Sequence, residues 1–428
     1  MLIPAGADRS ARPLLLARAL RAFVDGYVAV LLPAYLLALG FGGWTVGLLS
    51  SATLLGSSLA TLAVGIWGHR FSSRRLLLGA ALLMLATGLG FAGLTSFWPL
   101  LVVAFVGTLN PSSGDVSVFL PLEHARLAEA ASGEARTARR HAFVNFFPLA
   151  EAASGEARTA LFARYTLTGS LCAALGALAA AFPDWMESVA GLTRLDAMRV
   201  MFVLYAVVGL TVWMIYHRLP IPLPHEQAAP PAPLGVSRGI VVKLAALFSL
   251  DAFAGGLVVN SLLALWLFER FGLSLAAAGA FFFWAGLLTA GSQLAAPLLA
   301  KRIGLLNTMV FTHIPANIFL ILAALAPSLP LVLALLLARA ALSQMDVPTR
   351  SAYVMSVVTP PERAAAASFT AVPRSLASAL SPSIGGAMFA AGWVAAPLVA
   401  CGLLKIAYDL TLWRSCRKVG FGEADSTR

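Results

Sequence analysis

The chain has 428 residues, of which 59% are hydrophobic and only 11% are charged, with a mean hydropathy of +0.85. Soluble globular domains carry about 25% charged residues, so this composition excludes an ordinary soluble protein and indicates a polytopic membrane protein. The net charge of +11 comes from lysines and arginines that concentrate in the termini and in every second loop, a positive-inside pattern that argues against a nucleic-acid partner.

Twelve apolar segments follow one another along the chain, and each approaches the roughly 20 residues that a helix needs to cross a bilayer. Continuous apolar runs, rather than alternation with a period of two, favour helices over the strands of a barrel. The first run follows Arg9 and Arg12 and continues to about Gly40, which is too long for a signal peptide, so we predict an uncleaved span. Numbered 1 to 12 in chain order, the predicted spans cover residues 16–40, 42–67, 75–95, 97–120, 160–184, 195–217, 239–268, 273–300, 304–326, 329–350, 365–391 and 393–415.

A short basic turn, Gly65 to Arg75, separates spans 2 and 3. An excess of arginine in a short loop beside transmembrane segments marks the cytoplasmic side. Counting spans from this turn predicts that the N- and C-termini are both cytoplasmic.

The same turn resembles the loop signature Gly-x-x-x-[acid]-Arg-x-Gly-[basic]-[basic] of the major facilitator superfamily, at Gly65, Arg70 and Arg74. His69 stands where the family usually has Asp, and Ser72 where it usually has Gly, so a conformational latch in this loop is expected to be weaker or pH-sensitive. With its twelve spans, the chain resembles bacterial drug and solute efflux permeases of that superfamily. The resemblance implies an all-α fold of two pseudo-symmetric six-helix bundles, with spans 1, 4, 7 and 10 around a central cavity.

The two halves echo each other, because the basic turn recurs as Lys301-Arg302 and Asp115 late in span 4 recurs as Asp346 late in span 10. Fused repeats leave such weak internal symmetry in transporters. We therefore predict a first bundle over residues 1–217 with a cytoplasmic loop at 121–160, a proline-rich linker at 218–238, a second bundle at 239–416 and a tail at 417–428.

The loop contains a direct repeat, since LAEAASGEARTA occurs at 127–138 and again at 149–160. We interpret it as a tandem duplication in a tolerant loop. An alternative is that the segment from Arg139 to Phe147 lies on the anionic inner leaflet as a regulatory element.

No pattern in the sequence supports an enzyme. Gly88-x-Gly90-x-x-Gly93 matches a dinucleotide fingerprint only as text, because it lies inside apolar span 3 with no preceding strand. The six histidines show no metal-ligand spacing, and the three cysteines indicate neither a disulfide framework nor a metal site. We predict no metal and no cofactor, with the proton gradient as the energy source.

Ionisable residues inside apolar spans are functional candidates, because each costs several kcal/mol unless it is paired or faces water. Asp25 in span 1, one turn from Arg21, and Asp251 in span 7 are candidates for proton coupling, with Asn260 farther along span 7 as a hydrogen-bonding residue in the cavity. Asp25 and Arg21 could instead form a local ion pair at the helix end.

Arg339 lies near the middle of span 10, where its permanent charge needs a partner. It is interpreted as a counter-ion to Asp25 or Asp251, as a contact for an anionic solute, or as part of a structural pair. His313 on span 9 and the pair Lys405 and Asp409 on span 12 are interpreted as structural, since those spans are peripheral in the resembled fold.

A cytoplasmic gate is predicted from ion pairs that form and break as the halves move. Its proposed members are the two carboxylates at the ends of spans 4 and 10, the basic residues within their reach, and the loop residues beside them: Gly65, His69, Arg70, Arg74, Asp115, Arg302, Asp346 and Arg350.

Together these features predict a secondary active transporter that works by alternating access. Because the apolar composition predicts a cavity with few charges, the first hypothesis is proton-coupled efflux of a small hydrophobic or amphipathic solute. The alternatives are an importer or exchanger of a small organic anion bound by Arg339, and a non-transporting membrane sensor or scaffold. We expect a monomer in a bacterial inner membrane, with the lipid bilayer and a small-molecule solute as its partners.

Overall fold

The computed structural model describes residues 11–112, 117–124, 126–127, 147–219 and 234–417, and over these ranges it is almost entirely helical, with no strand. In the first half, spans 1 to 6 are Ala11–Ala38, Gly43–Trp67, Ser73–Gly93, Phe97–Val106 with residues 119–124, Phe147–Leu178 and Arg194–His217. In the second half, spans 7 to 12 are Arg238–Gly256 with Asn260–Phe271, Leu275–Ile303, Leu305–Leu325, Leu329–Ala340 with Asp346–Val357, Arg363–Ala390 and Ala396–Cys416. Short helices at Gly68–Arg70, Ala179–Ala181, Phe182–Ala190 and Pro360–Glu362 connect them.

Eight helical segments in the described part of the chain are long and apolar enough by themselves to cross a membrane. Two of the shorter apolar helices, Phe97–Val106 and Leu329–Ala340, are the first pieces of spans 4 and 10. Spans 1 and 11 also fall outside the eight, and span 1 carries Arg18, Arg21 and Asp25. Of the spans that the resemblance places around the cavity, span 1 is charged and spans 4, 7 and 10 are each in two pieces.

Spans 4, 7 and 10 are each broken near the middle. In span 4, Val106 ends the first helix before Asn110 and Pro111, and a proline both removes an N–H donor and disfavours helical backbone in the residue before it. Non-helical backbone inside a membrane persists only where protein or water satisfies its polar groups. Here the N–H of Ser261 donates to the carbonyl of Pro111, at 3.0 Å, so the breaks of spans 4 and 7 satisfy each other.

The halves meet through small residues on spans 2 and 11. A Cβ added to Gly47 would lie only 2.8 Å from the Cα of Gly386. Nearby, the Oγ of Ser51 accepts a hydrogen bond of 2.8 Å from the N–H of Ser383. Close helix packing in membranes depends on small residues of this kind. We call the end of the bundle at Gly47 and Gly386 the sealed end.

The opposite end, which carries the basic turn at Gly68–Arg70, is called the loop end. Arg74 donates to the carbonyl of His217 there, which ties span 3 to the end of span 6. Glu362 accepts hydrogen bonds from the N–H groups of Gly235, at 2.8 Å, and Ser237, at 3.0 Å. The hydrogen bonds from Ser237 and Gly235 lower the pKa of Glu362 and join the start of span 7 to the start of span 11.

Span 5 begins earlier than the sequence predicts. Its helix runs from Phe147 to Leu178, so the second copy of the repeat, at 149–160, is a helical extension of the span. The first copy lies outside the described residues beyond Leu127.

We expect Gly47→Val to destabilise the protein by about 1–3 kcal/mol, because the side chain has to displace backbone of span 11 in a close-packed interface. A lower unfolding temperature in detergent measures the effect. Gly79→Val is the matched control, since Gly79 also lies inside a helix but has open space where its Cβ would be. Equal unfolding temperatures for the two variants would contradict the tight contact at Gly47.

Candidate functional site

A cavity of about 500 Å³ lies between the two halves. Its walls include Asp25 of span 1 and Ala173 of span 5 on one side, and Asp251 of span 7 and Gln293 of span 8 on the other. The charged residues on its walls are Arg18, Asp25, Asp251, Arg339, Asp346, Arg350, Arg374 and Lys405. The structure thus differs from the expectation of a cavity with few charges, because the charges scattered along the sequence converge on one surface.

Asp251 is the centre of a buried charge cluster in the second half. Only 4% of its surface is exposed, and its carboxylate lies 2.6 Å from the Nζ of Lys405 and 3.3 Å from Nη1 of Arg350. The Nε2 of His313 is 4.0 Å away. These partners come from spans 12, 10 and 9, so one carboxylate joins four helices.

Two further carboxylates extend this cluster. Asp346 lies 2.6 Å from Nη2 of Arg350, one helical turn along span 10. Asp409 lies 3.0 Å from Nδ1 of His313, so that imidazole stands between Asp251 and Asp409. Lys405 and Asp409, four residues apart on span 12, form separate contacts with Asp251 and His313. Lys405 and His313 also line the cavity, so spans 9 and 12 contribute to its wall, while the structural role of these residues stays a prediction.

A second cluster surrounds Glu123 in the first half. Glu123 is fully buried and accepts hydrogen bonds from Arg21, Tyr165 and Tyr216. The guanidinium of Arg21 also lies 4.0 Å from the centre of the Phe119 ring. Arg21 therefore has a carboxylate partner on span 4, while Asp25, one turn along span 1, faces the cavity.

Sequence reasoning missed Glu123 because the predicted span 4 ended at residue 120. The structure continues helix over residues 119–124, with Phe119 and Leu122 buried beside the carboxylate. The available signal was an acidic residue within the mostly apolar run that begins at Val116, a pattern that marks an intramembrane charge.

Arg339 lies in the last turn of the first helix of span 10, just before the break, and lines the cavity. Its Nε is buried without a hydrogen-bond partner in the described structure, and the cations that contact Asp251 are Lys405 and Arg350 instead. Asn260 begins the second helix of span 7, where its Nδ2 donates to the carbonyl of Ser112, at 3.0 Å. Asn260 thus faces the cavity and also links the two halves.

Two of the predicted gate residues, Asp346 and Arg350, are in contact with each other on the same helix. Arg74 contacts His217, and Arg70 and Arg302 are exposed. Gly65 has open space around it. Asp115 and the side chain of His69 lie outside the described part of the chain, so gating by this set stays a prediction.

Removing the carboxylate of Asp251 is expected to destabilise the protein by about 3–5 kcal/mol, because Asp251→Asn leaves Lys405 buried without a full negative charge. In the double variant Asp251→Asn with Lys405→Met, the loss of unfolding free energy should be smaller than the sum of the losses in the two single variants, by about 0.5–3 kcal/mol. Thermal unfolding in detergent measures the cycle.

Asp196→Asn is the control for that cycle, because Asp196 and Arg199 form a partly exposed pair whose loss should have little effect. Strictly additive costs for Asp251 and Lys405 would show that the contact between them contributes nothing to stability.

The comparisons with known proteins agree with this architecture. No protein-family model matches the chain. An uncharacterized membrane protein of Saccharomyces cerevisiae, YJR124C, is 24% identical over 359 residues, which cover 76% of this chain and 75% of the yeast protein.

Among solved structures, the nucleoside transporter NupG superposes with a TM-score of 0.68 at 14% identity, covering 96% of this chain and 100% of NupG. The D-xylose-proton symporter gives a TM-score of 0.67 at 15% identity, covering 94% of this chain and 97% of the symporter. Both of these proteins are transporters. The chain is thus a multi-pass membrane protein with the fold of the major facilitator superfamily.

Proposed function

We propose that the protein is a secondary transporter that carries a small polar solute across the membrane by alternating access. The observation that carries this proposal is the cavity of about 500 Å³ between the halves, with walls from both. Ligand sites commonly have volumes of about 300–1,000 Å³. A cavity at this position binds a solute between two bodies that can rock against each other.

The contacts at the sealed end are suited to such rocking. They include glycine contacts between spans 2 and 11 and hydrogen bonds such as the one of 3.0 Å between the hydroxyls of Ser50 and Ser261. The ion pairs around Asp251 and Glu123 lie instead within one half. Separation of the halves at the sealed end therefore leaves these internal ion pairs intact.

We further propose that the structure represents the inward-facing state. The halves are in close contact at the sealed end, whereas the cavity walls reach Arg18, Gln293 and Arg374 on the side of the loop end. The arginines of the basic turn predict that the loop end is cytoplasmic. A solute would then enter or leave this state from the cytoplasm.

The polar lining favours a polar solute over the hydrophobic one of the first hypothesis. Charged walls keep their hydration unless a ligand supplies complementary groups, so a purely apolar ligand would strip water from charges without replacing it. Efflux, proton coupling and a bacterial inner membrane stay predictions, and the similarity to a yeast membrane protein leaves the organism open.

Alternating access predicts opposite distance changes at the two ends. In a variant without Cys172, Cys401 and Cys416, spin labels replace the exposed pair Trp44 and Trp393 at the sealed end, or Phe71 and Ile303 at the loop end. Conditions that lengthen the distance between the labels at the sealed end should shorten the distance at the loop end, and double electron–electron resonance measures both.

Trp44 and Trp98 provide the control pair, since both are exposed at the sealed end of the first half and should keep a fixed distance. A single unchanging distance at both ends, over a range of pH and of solutes, would contradict alternating access. Such a result would favour the non-transporting sensor or scaffold.

Proton coupling is proposed at Asp25, whose carboxylate faces the cavity. In energised everted vesicles, a transported solute should discharge the proton gradient with wild-type protein and fail to do so with Asp25→Asn, as a pH-sensitive dye reports. Asp196→Asn, outside the cavity, should behave as wild type. Equal discharge by wild type and Asp25→Asn would exclude Asp25 from coupling.

A further inference from the structure

The second half of the cavity wall carries more positive than negative charge. Asp251 and Asp346, its two carboxylates, are held by Lys405 and Arg350 at 2.6 Å each. The two negative charges of these carboxylates and the two positive charges of Lys405 and Arg350 therefore cancel. Two further arginines, Arg339 and Arg374, also line the cavity.

Neither arginine forms an ion pair or a side-chain hydrogen bond with the part of the chain that the structure describes. Arg339 has a buried Nε with no hydrogen-bond partner among the described residues, and the thiol of Cys401 lies close enough to act on it electrostatically. Arg374 lies on span 11, where Arg350, a like charge, and the carboxylates of Asp251 and Asp346 all act on it electrostatically. Because those two carboxylates are already in close contact with Lys405 and Arg350, neither Arg339 nor Arg374 has a carboxylate of its own in the part of the chain that the structure describes.

Such charges are costly inside a membrane protein. A guanidinium stays protonated under all relevant conditions, and in the membrane interior it costs several kcal/mol unless it is paired or hydrated. A ligand with two negative charges would compensate both arginines at once. Planar guanidinium groups also form paired hydrogen bonds with carboxylate and phosphate oxygens.

We propose that Arg339 and Arg374 bind the two negative charges of a small organic dianion, which is the solute class of the transporter proposed above. That the dianion is transported rests on the proposed function, whereas its binding to the two arginines does not depend on transport. A dicarboxylate and a phosphate monoester share the required chemistry, and the experiment below separates them.

The surroundings of the two arginines supply neutral donors for the rest of such a solute. Ser343 and Gln344 lie in the break of span 10, directly after Arg339, and line the cavity. Ser375 and Ser378 follow Arg374 on span 11 and do the same. Hydroxyl and amide donors orient a solute without adding charge.

The test measures binding to purified protein in lipid nanodiscs by calorimetry and by thermal stabilisation. The probes are succinate as a dicarboxylate, glycerol 3-phosphate as a phosphate monoester, acetate as a monoanion and xylitol as a neutral polyol. We expect one of the two dianions to bind, and Arg339→Gln and Arg374→Gln each to weaken its binding by about 10- to 100-fold.

Arg339→Lys and Arg374→Lys should retain part of the affinity, because a lysine keeps the charge but loses the paired hydrogen bonds. Arg194→Gln is the matched control, since Arg194 is exposed at the start of span 6, outside the cavity. An unchanged unfolding temperature of the unliganded Gln variants shows that they are folded.

Three results would overturn the inference. These are no binding of either dianion at millimolar concentration to folded wild type, equal binding of acetate and the dianion, or full affinity in the variant that lacks both arginines. If the dianions do not bind but the spin-label distances at the two ends change in opposite directions, the protein is still a transporter and only the proposed solute class is wrong. If a dianion binds but the spin-label distances stay fixed, the proposed transport is wrong and the binding site is not.

Discussion

The cost of placing charge inside a membrane determines how this molecule is arranged. A buried ion loses its water and regains stability only through close partners. In this chain the partners of Asp251 come from spans 9, 10 and 12, and those of Glu123 from spans 1, 5 and 6. Each cluster therefore fixes the relative positions of helices within one half.

The same reasoning applies to the backbone at the broken helices. The N–H of Ser261 and the amide of Asn260 donate across the halves to the carbonyls of Pro111 and Ser112. These bonds satisfy polar groups that lipid could not satisfy. Because they join the halves, any motion that separates spans 4 and 7 has to replace them with water or solute. The breaks thus couple the separation of the halves to what fills the cavity.

The sequence predicts the parts of this architecture that depend on local chemistry. Continuous apolar runs predict the spans, and the basic turn at Gly65 to Arg75 predicts which ends lie together. Asp25, Asp251, Asn260 and Arg339 were singled out as intramembrane polar groups, and all four line the cavity. The pattern of charge within an apolar span is a property of the sequence alone.

The partners of those residues are a property of the fold. Lys405 and Asp251 are 154 positions apart, and the four-residue spacing of Lys405 and Asp409 favoured a local pair that does not form in the described structure. Glu123 was missed because helix continues beyond a proline. Tertiary packing decided each of these contacts, and no local pattern encodes it.

In the second half, the cations that are paired with carboxylates and those that are not contribute to two different properties, rigidity and selectivity. Lys405 and Arg350 are engaged with Asp251 and Asp346, so they hold spans 7, 10 and 12 together whether or not a solute is present. Arg339 and Arg374 are not engaged in this way, and their charge acts on the contents of the cavity. A neutral solute would leave that charge to water, whereas an anion would replace water with fixed ion pairs. The rigidity of the half and the selectivity of its cavity thus depend on different residues, and a substitution can change one without the other.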